Sequence, residues 1–521
     1  MKYLIIGAGG TGGVVGYYMT KAGKDVTLIA RGAHLKQMQT KGLTLEKMWD
    51  QSTETIPVKA SDMEHYTEQP DVILVCVKGY SLTDTIPFIQ KVAKKDTVVI
   101  PILNIYGTGA KMQKELSELL VTDGCIYVSA NIKEPGVLLQ HGKILKVVFG
   151  VREKEEYRPV LKEIEKDLCD SSIYGILSEN IRRDALEKFS YVSPIGAAGL
   201  YYHATAGDFQ KEGAPRELFC SMIQEIAALA DAMGVPFQKD MVEVNLHILS
   251  NLAPETTTSM QRDVMDGKQS EIDGLVYEVV RMGKLYGVPV PSYTKVANRL
   301  AGKKGIIFDM DGVLVNTEPL HFRCWQEVLK EDGITLDYEI YKPCIGSTRE
   351  VFRQLMVDAY GDIFEDYPTM NRRMEEKKKE IVEKEGFPQC EGIREVLEKL
   401  HQEGYLLAVG SSSPEDVIRK VLKDLDLAQY FSAFISGENM AHPKPAPDTF
   451  LAAAEALLLE PSACMVVEES TNGGRAAKAA GMSCVWFHNP DSGDQQIPDA
   501  VLEISSWGPS SAEKIMKASE Q

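Results

Sequence analysis

The sequence predicts an α/β chain built from several domains, and three observations support this. Its 521 residues exceed the roughly 100–200 residues of a typical domain. Two short apolar runs, Lys2–Ile6 and Gly305–Phe308, each lead directly into a glycine-containing loop, as the first strand of a parallel sheet does. From about residue 178 to 300, β-like runs give way to helical periodicity. The expected domains are 1–175, 176–300 and 303–521, the last with a helical cap at about 319–390.

The charge balance limits the partners that the chain can have. Lys and Arg number 57 and Asp and Glu number 75, which gives a net charge of −18. A broad surface for nucleic acid or for an anionic membrane needs a basic face. We therefore expect neither partner, although a small basic pocket for a phosphate ligand remains compatible with this composition.

The sequence favours a reduced, cytoplasmic protein. The first apolar run meets glycine at position 7, too early for a signal-peptide core, and no run of about 18 apolar residues is present. The nine cysteines are scattered and form no CxxC pair. This spacing predicts reduced thiols and no zinc site.

A glycine motif follows the first strand. Residues 7–12 read Gly-Ala-Gly-Gly-Thr-Gly and satisfy G-x-G-x-x-G with Gly7, Gly9 and Gly12. Glycines at these places permit a tight turn, close approach of the backbone to a pyrophosphate, and close packing of the next helix on the strand. That helix, expected at 14–22, directs its N-terminus at the phosphate charge. Further β-like runs at 26–30, 72–77, 98–103 and 146–149 complete the pattern of a Rossmann dinucleotide-binding domain.

The residue after the second strand indicates the cofactor. Arg31 stands where an acidic residue would accept hydrogen bonds from the ribose of NAD. An arginine there favours the 2′-phosphate of NADP(H).

Several further motifs give this half of the chain a family resemblance. They are Val77-Lys78-Gly79, Leu103-Asn104-Ile105, Glu187-Lys188-Phe189, and Ser259-Met260-Gln261-Arg262-Asp263 followed by Glu271-Ile272-Asp273. Over about residues 1–300 the sequence resembles the ketopantoate reductase family, which comprises NADPH-dependent 2-dehydropantoate 2-reductases. The resemblance implies that Lys78 and Asn104 lie beside the cofactor, that Lys188 is catalytic, and that the substrate site comprises Ser259, Asp263 and Glu271.

The chemistry of a keto acid reduction suits these residue types. Hydride attack on a ketone builds negative charge on its oxygen, and the Lys188 ammonium can stabilise that charge and supply a proton. Glu271 can orient Lys188 or accept a hydrogen bond from a substrate hydroxyl, and Ser259 can bind a carboxylate.

The sequence departs from this family at three positions. The family usually has asparagines four and eight residues after the catalytic lysine, where this chain has Val192 and Gly196. The usual Asn-Gly pair is Asn104-Ile105. Polar groups that would hold pantoate are therefore missing, and we expect a different or less polar 2-keto acid, or weak binding of ketopantoate.

The second beginning carries paired aspartates. Asp309-Met310-Asp311-Gly312 follows an apolar strand, and this resembles the first motif of the haloacid dehalogenase superfamily over about residues 303–521. The resemblance implies that Asp309 is the nucleophile that forms an aspartyl phosphate and that Asp311 is the general acid and base. It also implies Mg²⁺, bound by the Asp309 side chain and the Asp311 backbone carbonyl.

The remaining superfamily motifs follow in order. They are Gly410-Ser411-Ser412-Ser413, His442-Pro443-Lys444-Pro445 and Glu468-Glu469-Ser470. The resemblance implies that Ser411 and Ser412 bind phosphoryl oxygens and that Lys444 neutralises phosphate and nucleophile. Glu468 and Glu469 complete the metal site, but the family usually has aspartate at the second position. The longer Glu469 side chain predicts looser magnesium geometry.

The expected cap contains the segments Leu320–Trp325 and Ile345–Glu350, and both resemble the β-phosphoglucomutase-like subgroup. The resemblance implies that Thr317, His321 and Arg349 lie near the substrate. A phosphoglucomutase would usually carry lysine where Ile345 stands, so a phosphatase acting on a small sugar or polyol phosphate is favoured over a mutase.

These motifs together predict a bifunctional enzyme with a 2-keto acid and a phosphate monoester as its small-molecule substrates. Two alternatives remain open. Either only one module is catalytic and the other senses NADP(H) or serves as a scaffold, or the second half is a sugar-phosphate mutase. The helical block at 178–300 is also a candidate surface for a homodimer.

Overall fold

A computed structural model describes residues 1–345, 349–361 and 366–520, without the side chain of residue 349. The chain divides into two compact units, Met1–Ala297 and Asn298–Gln521. No helix within the described ranges combines the length and apolar character needed to cross a membrane.

A six-stranded parallel sheet forms the core of the first unit, in the order β5-β2-β1-β6-β7-β8. Its strands are β1 (Lys2–Ile6), β2 (Asp25–Ile29), β5 (Lys59–Ser61), β6 (Val72–Val75), β7 (Val98–Pro101) and β8 (Leu120–Val121). The central strands are apolar throughout because helices cover both faces of a parallel sheet. The helices are α1 (Gly10–Lys21), α2 (Gly32–Lys41), α3 (Leu82–Val92), α4 (Thr108–Glu115) and α5 (Val160–Asp170). This strand order is that of the Rossmann fold, and the prediction of that fold is confirmed.

Two smaller sheets flank this core, and of their strands the sequence patterns predicted only the run at 146–149, which is β12. The first has the order β10-β11-β3-β4 and the second β13-β12-β9. Their strands are β3 (Leu43–Lys47), β4 (Ser52–Ile56), β9 (Asp123–Tyr127), β10 (Ala130–Glu134), β11 (Val137–Gln140), β12 (Lys146–Gly150) and β13 (Tyr174–Leu177). Edge strands β4 and β10 are almost wholly exposed and polar. They therefore lack the apolar periodicity on which a strand prediction depends.

The rest of the first unit is helical, as predicted. Its elements are α6 (Ile181–Tyr202), α7 (Ala206–Phe209), α8 (Ala214–Ala232), α9 (Met241–Ser250), α10 (Ser259–Met265), a π-helix (Asp273–Tyr277), α11 (Glu278–Tyr286) and α12 (Pro291–Leu300), which runs on into the second unit. Helix α6 begins where the Asn180 side chain accepts a hydrogen bond from the Arg183 backbone amide. One end of α6 packs on the sheet that contains β9, through Ile181 and Ala185 against Cys125. This contact fixes the next turn of α6, which carries Lys188.

The second unit has its own six-stranded parallel sheet, in the order β16-β15-β14-β17-β18-β19. The strands are β14 (Gly305–Phe308), β15 (Leu406–Ser411), β16 (Ala433–Ser436), β17 (Cys464–Glu468), β18 (Ser483–Phe487) and β19 (Leu502–Ile504). The helices around it are α17 (Ile393–Gln402), α18 (Glu415–Asp424), α19 (Asp448–Ala456), α20 (Thr471–Ala479) and α21 (Ser511–Ser519). Between β14 and α17, the chain forms α13 (Glu318–Glu331), α14 (Tyr338–Tyr341), α15 (Arg349–Tyr360) and α16 (Tyr367–Glu385), which pack around a separate apolar core.

We predict that Gly109→Ala destabilises the first unit. An added Cβ at Gly109, in the first turn of α4, would lie 2.1 Å from the Thr122 carbonyl oxygen and 2.3 Å from an Asp123 carboxylate oxygen. Backbone cannot move aside easily, so we expect the free energy of unfolding to fall by about 1–3 kcal/mol. Denaturant unfolding measures it. Gly142→Ala is the control because open space surrounds that position. Equal stability of the two variants would contradict the crowding.

Candidate active sites

The glycine loop of the first unit has the shape of a phosphate cradle. Gly7 follows β1 with φ +98°, and an added Cβ would lie 2.8 Å from the Cys76 carbonyl oxygen. At Gly12 an added Cβ would lie 2.3 Å from the Gly7 carbonyl oxygen, whereas the space beside Gly9 is open. Helix α1 begins at Gly10, so its unpaired N-terminal amides adjoin this open space. The loop therefore fits a dinucleotide pyrophosphate.

Helix α2 supports the cradle through His34, which the sequence analysis did not single out. Nε2 of His34 lies 2.9 Å from the Ala8 carbonyl oxygen, and the Gly136 backbone amide donates to Nδ1 at 2.9 Å. Because Nδ1 accepts, the ring proton is on Nε2 and is donated to Ala8. Arg31 immediately precedes α2, its side chain is exposed, and no ion pair found within the described ranges includes it. Its guanidinium is therefore available to an anionic ligand.

Lys188 is a buried ammonium with a neutral partner. Its residue exposure is 8 %, and Nζ donates to Asn104 Oδ1 at 2.8 Å. The ring centre of Tyr127 lies 5.5 Å from Nζ. Burial lowers the pKa of Lys188 to about 8, although the nearby Glu271 charge works in the opposite direction. A narrow cleft beside Lys188 is lined by Asn104, Ile105, Cys125 and Phe189, among other residues.

Lys78 joins two carboxylates from the helical region. Nζ of Lys78 donates to Asp263 at 3.0 Å and to Glu271 at 3.1 Å, and the Gly79 amide donates to Glu271 at 3.1 Å. Burial disfavours the charged Lys78, but the Glu271 charge and these hydrogen bonds raise its pKa. Ser259 is the first residue of α10, next to the Thr258 cap. The structure thus brings Lys78 together with Asp263 and Glu271, and Lys188 together with Asn104.

The departures noted at 192 and 196 leave this part of α6 apolar. An added Cβ at Gly196 would lie 2.7 Å from the terminal methyl of Met260, which follows Ser259. Met260 is buried, and Val192 is half-buried. An apolar side chain therefore abuts the helix face at Gly196.

In the second unit, a lysine bridges two carboxylates at the ends of neighbouring strands. Asp309 follows β14 and Glu468 ends β17. Nζ of Lys444 lies 2.5 Å from Asp309 Oδ1, 2.8 Å from Glu468 Oε1 and 3.1 Å from the Gly410 carbonyl oxygen. Burial opposes the charge on Lys444, but the two carboxylates outweigh it and raise its pKa. Burial also raises the pKa of Asp309 to about 7, although Lys444 pulls it back.

A third carboxylate completes the cluster. Oxygen atoms of Asp309, Glu468 and Glu469 all lie within 4.8 Å of one another. Oε2 of Glu469 is buried without a hydrogen-bond partner, and burial beside Glu468 and Asp309 raises the Glu469 pKa well above its ordinary value. Three close carboxylates with one orphaned oxygen are a suitable donor set for a hard divalent cation such as Mg²⁺.

Asp311 is held by two hydroxyl groups. Thr317 donates to Oδ1 at 2.8 Å and Ser413 donates to Oδ2 at 2.7 Å. Of the predicted phosphate-binding serines, Ser411 is buried and its hydroxyl accepts the Ser413 amide at 3.1 Å, whereas Ser412 is exposed. The sequence analysis therefore missed Ser413, the next residue of the same run.

The cap helices bring further titratable groups towards Asp311. Burial and the charge of Lys378 lower the pKa of His321 to about 4. Burial and Asp311 raise the pKa of Glu318 to about 7. Lys378 belongs to α16, and its charge lowers the pKa of His321 and opposes the rise in the pKa of Glu318. The side chain of Arg349 lies outside the described part of the structure.

Fold and sites together define an enzyme with two parts, an oxidoreductase-type half on a dinucleotide fold and a phosphatase-type half built around an aspartate. Residues 3–154 match the family model "Ketopantoate reductase PanE/ApbA" and residues 180–304 match its C-terminal counterpart. Residues 306–487 match "Haloacid dehalogenase-like hydrolase". The chain therefore belongs to the ketopantoate reductase family in its first part and to the haloacid dehalogenase-like hydrolases in its second.

Individual relatives agree with this division. The chain is 24% identical over 309 residues to a 2-dehydropantoate 2-reductase of Aquifex aeolicus, covering 58% of this chain and 97% of the relative. It is 31% identical over 182 residues to the fructose-1-phosphate phosphatase YqaB of Escherichia coli, covering 35% of this chain and 94% of the relative. A crystal structure of a PanE/ApbA family ketopantoate reductase from Ralstonia eutropha shares the fold of the first part. Its TM-score is 0.52 at 24% identity, with 58% of this chain and 97% of that chain covered.

Proposed function

We propose that the chain is a bifunctional enzyme that reduces a 2-keto acid with NADPH and hydrolyses a small phosphate monoester with Mg²⁺. For the first activity, the supporting observation is the buried Lys188 ammonium with a neutral amide as its hydrogen-bond partner. For the second, it is Asp309 beside Lys444 at the end of a parallel strand.

In the reductase half, Lys188 acts as the proton donor. NADPH, held by the loop of Gly7, Gly9 and Gly12 and by Arg31, supplies the hydride. As the keto carbon gains the hydride, its oxygen gains the electron pair of the C=O π bond, and Lys188 transfers a proton to that oxygen. Asn104 orients the ammonium because its side-chain oxygen accepts a hydrogen bond from Lys188 Nζ.

Ser259 and Glu271 are the proposed partners of the substrate's polar groups. A carboxylate can accept from the Ser259 hydroxyl, and a hydroxyl on the substrate can donate to Glu271. The side chains at 105, 192 and 260 are apolar. The apolar residues at these positions favour a 2-keto acid less polar than ketopantoate, and we expect ketopantoate to bind weakly.

In the phosphatase half, Asp309 attacks phosphorus while the ester P–O bond breaks. Asp311 gives its proton to the departing alkoxide, and the product of this step is an aspartyl phosphate on Asp309. Asp311 then takes a proton from water as the water oxygen attacks phosphorus, and phosphate and free Asp309 result. Asp309, Asp311, Glu468 and Glu469 would hold Mg²⁺, and the bound ion would neutralise negative charge on the phosphate. Lys444 adds a further positive charge beside the nucleophile.

The relatives and the cap support a sugar or polyol phosphate as the ester. A fructose-1-phosphate phosphatase is among the relatives of this half. The buried Ile345 offers no charge to a second phosphate, which favours hydrolysis of a sugar or polyol monophosphate over phosphate transfer between two positions of a sugar.

The reductase rate should fall as the pH rises above 8. The pKa of Lys188 is lowered to about 8, so the proton donor is present below that pH and lost above it. We expect kcat to drop by about tenfold per pH unit well above the pKa. NADPH oxidation with ketopantoate and a panel of branched 2-keto acids measures it. In Lys188→Met, kcat should fall by at least about 10²-fold. In the matched Lys188→Arg variant, kcat should be low but independent of pH over the same range. A full rate for Lys188→Met would remove Lys188 from the reaction.

Arg31→Ala should weaken NADPH binding much more than NADH binding. Only NADPH carries the 2′-phosphate that an arginine at this place can pair with. Titration with each cofactor, followed by nicotinamide fluorescence, gives the two dissociation constants. Lys41→Ala is the control, since Lys41 is exposed and basic but ends α2 at the opposite terminus. Equal weakening of both cofactors would exclude Arg31 from a phosphate site.

Asp309→Asn should abolish phosphatase activity and leave reductase activity intact. The amide keeps the shape of the carboxyl group but is no nucleophile. Phosphate release from fructose 1-phosphate and a panel of polyol phosphates, with Mg²⁺ present, measures the loss. Asp416→Asn serves as the control, because Asp416 is exposed. Retained turnover in Asp309→Asn would mean that another group attacks phosphorus.

A further inference from the structure

Ile105 lies in a notch that two glycines leave open. An added Cβ at Gly79 would lie 2.1 Å from Cδ1 of Ile105, and the next nearest atom, 3.5 Å away, also belongs to Ile105. At Gly274 the three nearest atoms to an added Cβ, at 2.4, 2.7 and 3.0 Å, are all Ile105 atoms. A side chain at either position would therefore require the Ile105 side chain to shift.

The two glycines come from distant parts of the first unit. Gly79 follows strand β6 and the cofactor-side Lys78, whereas Gly274 lies in the π-helix of the helical region. Glu271 spans the same junction, because its two carboxylate oxygens accept from the Gly79 amide and from Lys78, each at 3.1 Å. The Ile105 side chain thus lies between the Gly79 and Gly274 backbones, at the junction where Glu271 accepts its two hydrogen bonds.

The π-helix is anchored from its other side to the helix that carries the catalytic lysine. The Ser193 hydroxyl donates to the Leu275 carbonyl oxygen at 2.6 Å, and Ser193 belongs to α6. Asn104, directly before Ile105, accepts the hydrogen bond of Lys188. Two consecutive residues therefore contact both sides of the site, Asn104 at Lys188 and Ile105 at the segment that follows Glu271.

We propose that Ile105 is a positioning residue for the reductase reaction and fixes the Glu271 carboxylate relative to the Lys188 ammonium. The proposal rests on the reductase activity proposed above. A β-branched side chain has few accessible rotamers. When such a side chain packs between two glycine backbones, it restricts the distance between them to a narrow range. A shift of about 1 Å at a reacting group can cost about 10²-fold in rate, so the width of the notch affects catalysis.

The first test is reciprocal rescue in the full chain. With the 2-keto acid of the panel that the wild-type chain reduces fastest as the probe, Ile105→Ala should lower kcat/KM by at least about tenfold while the KM for NADPH changes less than about twofold. Gly274→Ala alone should also be impaired, because its methyl collides with Ile105. The double variant should recover part of the loss, since the methyl group added at position 274 occupies space that the Ile105 side chain vacates. Ile164→Ala, which empties a buried site in α5, should cost stability without changing kcat/KM. Additive losses in the double variant would overturn the proposal.

The second test needs no substrate. Hydrogen exchange of the Gly79 amide, which donates to Glu271, should accelerate at least about tenfold in Ile105→Ala and slow again in the double variant. If the wild-type chain is active but exchange of the Gly79 amide is unchanged in Ile105→Ala, the positioning of Glu271 by Ile105 is overturned and the proposed function is not. A wild-type chain that reduces no 2-keto acid would overturn the proposed function itself, and with it the catalytic role of Ile105.

Discussion

The cost of burying an ammonium group shapes both candidate sites. An ammonium removed from water loses its charge unless acceptors replace the lost hydration. Lys188 has a neutral amide as its hydrogen-bond partner, and its pKa falls to about 8. Lys444 has two carboxylates, and its pKa rises. The same side chain is therefore prepared to release a proton in one half and to remain a fixed positive charge in the other.

The parallel sheets explain why these lysines find such different partners. In both units the functional loops follow the carboxyl ends of adjacent strands, where a parallel sheet gathers side chains distant in sequence. In the second unit these ends bring Asp309 and Glu468 to Lys444. In the first unit the loop after β7 supplies Asn104, but Lys188 comes from a helix of the neighbouring helical region. The first site therefore depends on packing between two regions, and the second mainly on strand register.

The sequence allowed prediction of what local constraints determine. The central parallel strands are continuous apolar runs, so β1 and β14 were placed correctly. The glycine loop and the paired aspartates stand next to those strands and could be located with them. Strands β4 and β10 could not, because their exposed polar residues leave no alternation to detect.

Contacts between distant segments remained beyond sequence reasoning. Ser411 and Ser413 are the same residue type in one run, and only the structure shows that the Ser413 hydroxyl donates to Asp311 on another loop. Ile105 acquires a role only because Gly79 and Gly274 lie against it. Its placement also affects the electrostatics of the site. Ile105 lines the cleft beside Lys188, and burial is the main cause of the lowered pKa of that lysine. A polar residue at 105 would admit water there and return the lysine towards its ordinary pKa. The same residue that departs from the family's Asn-Gly pair therefore lies beside both the Lys188 cleft and the Glu271 segment.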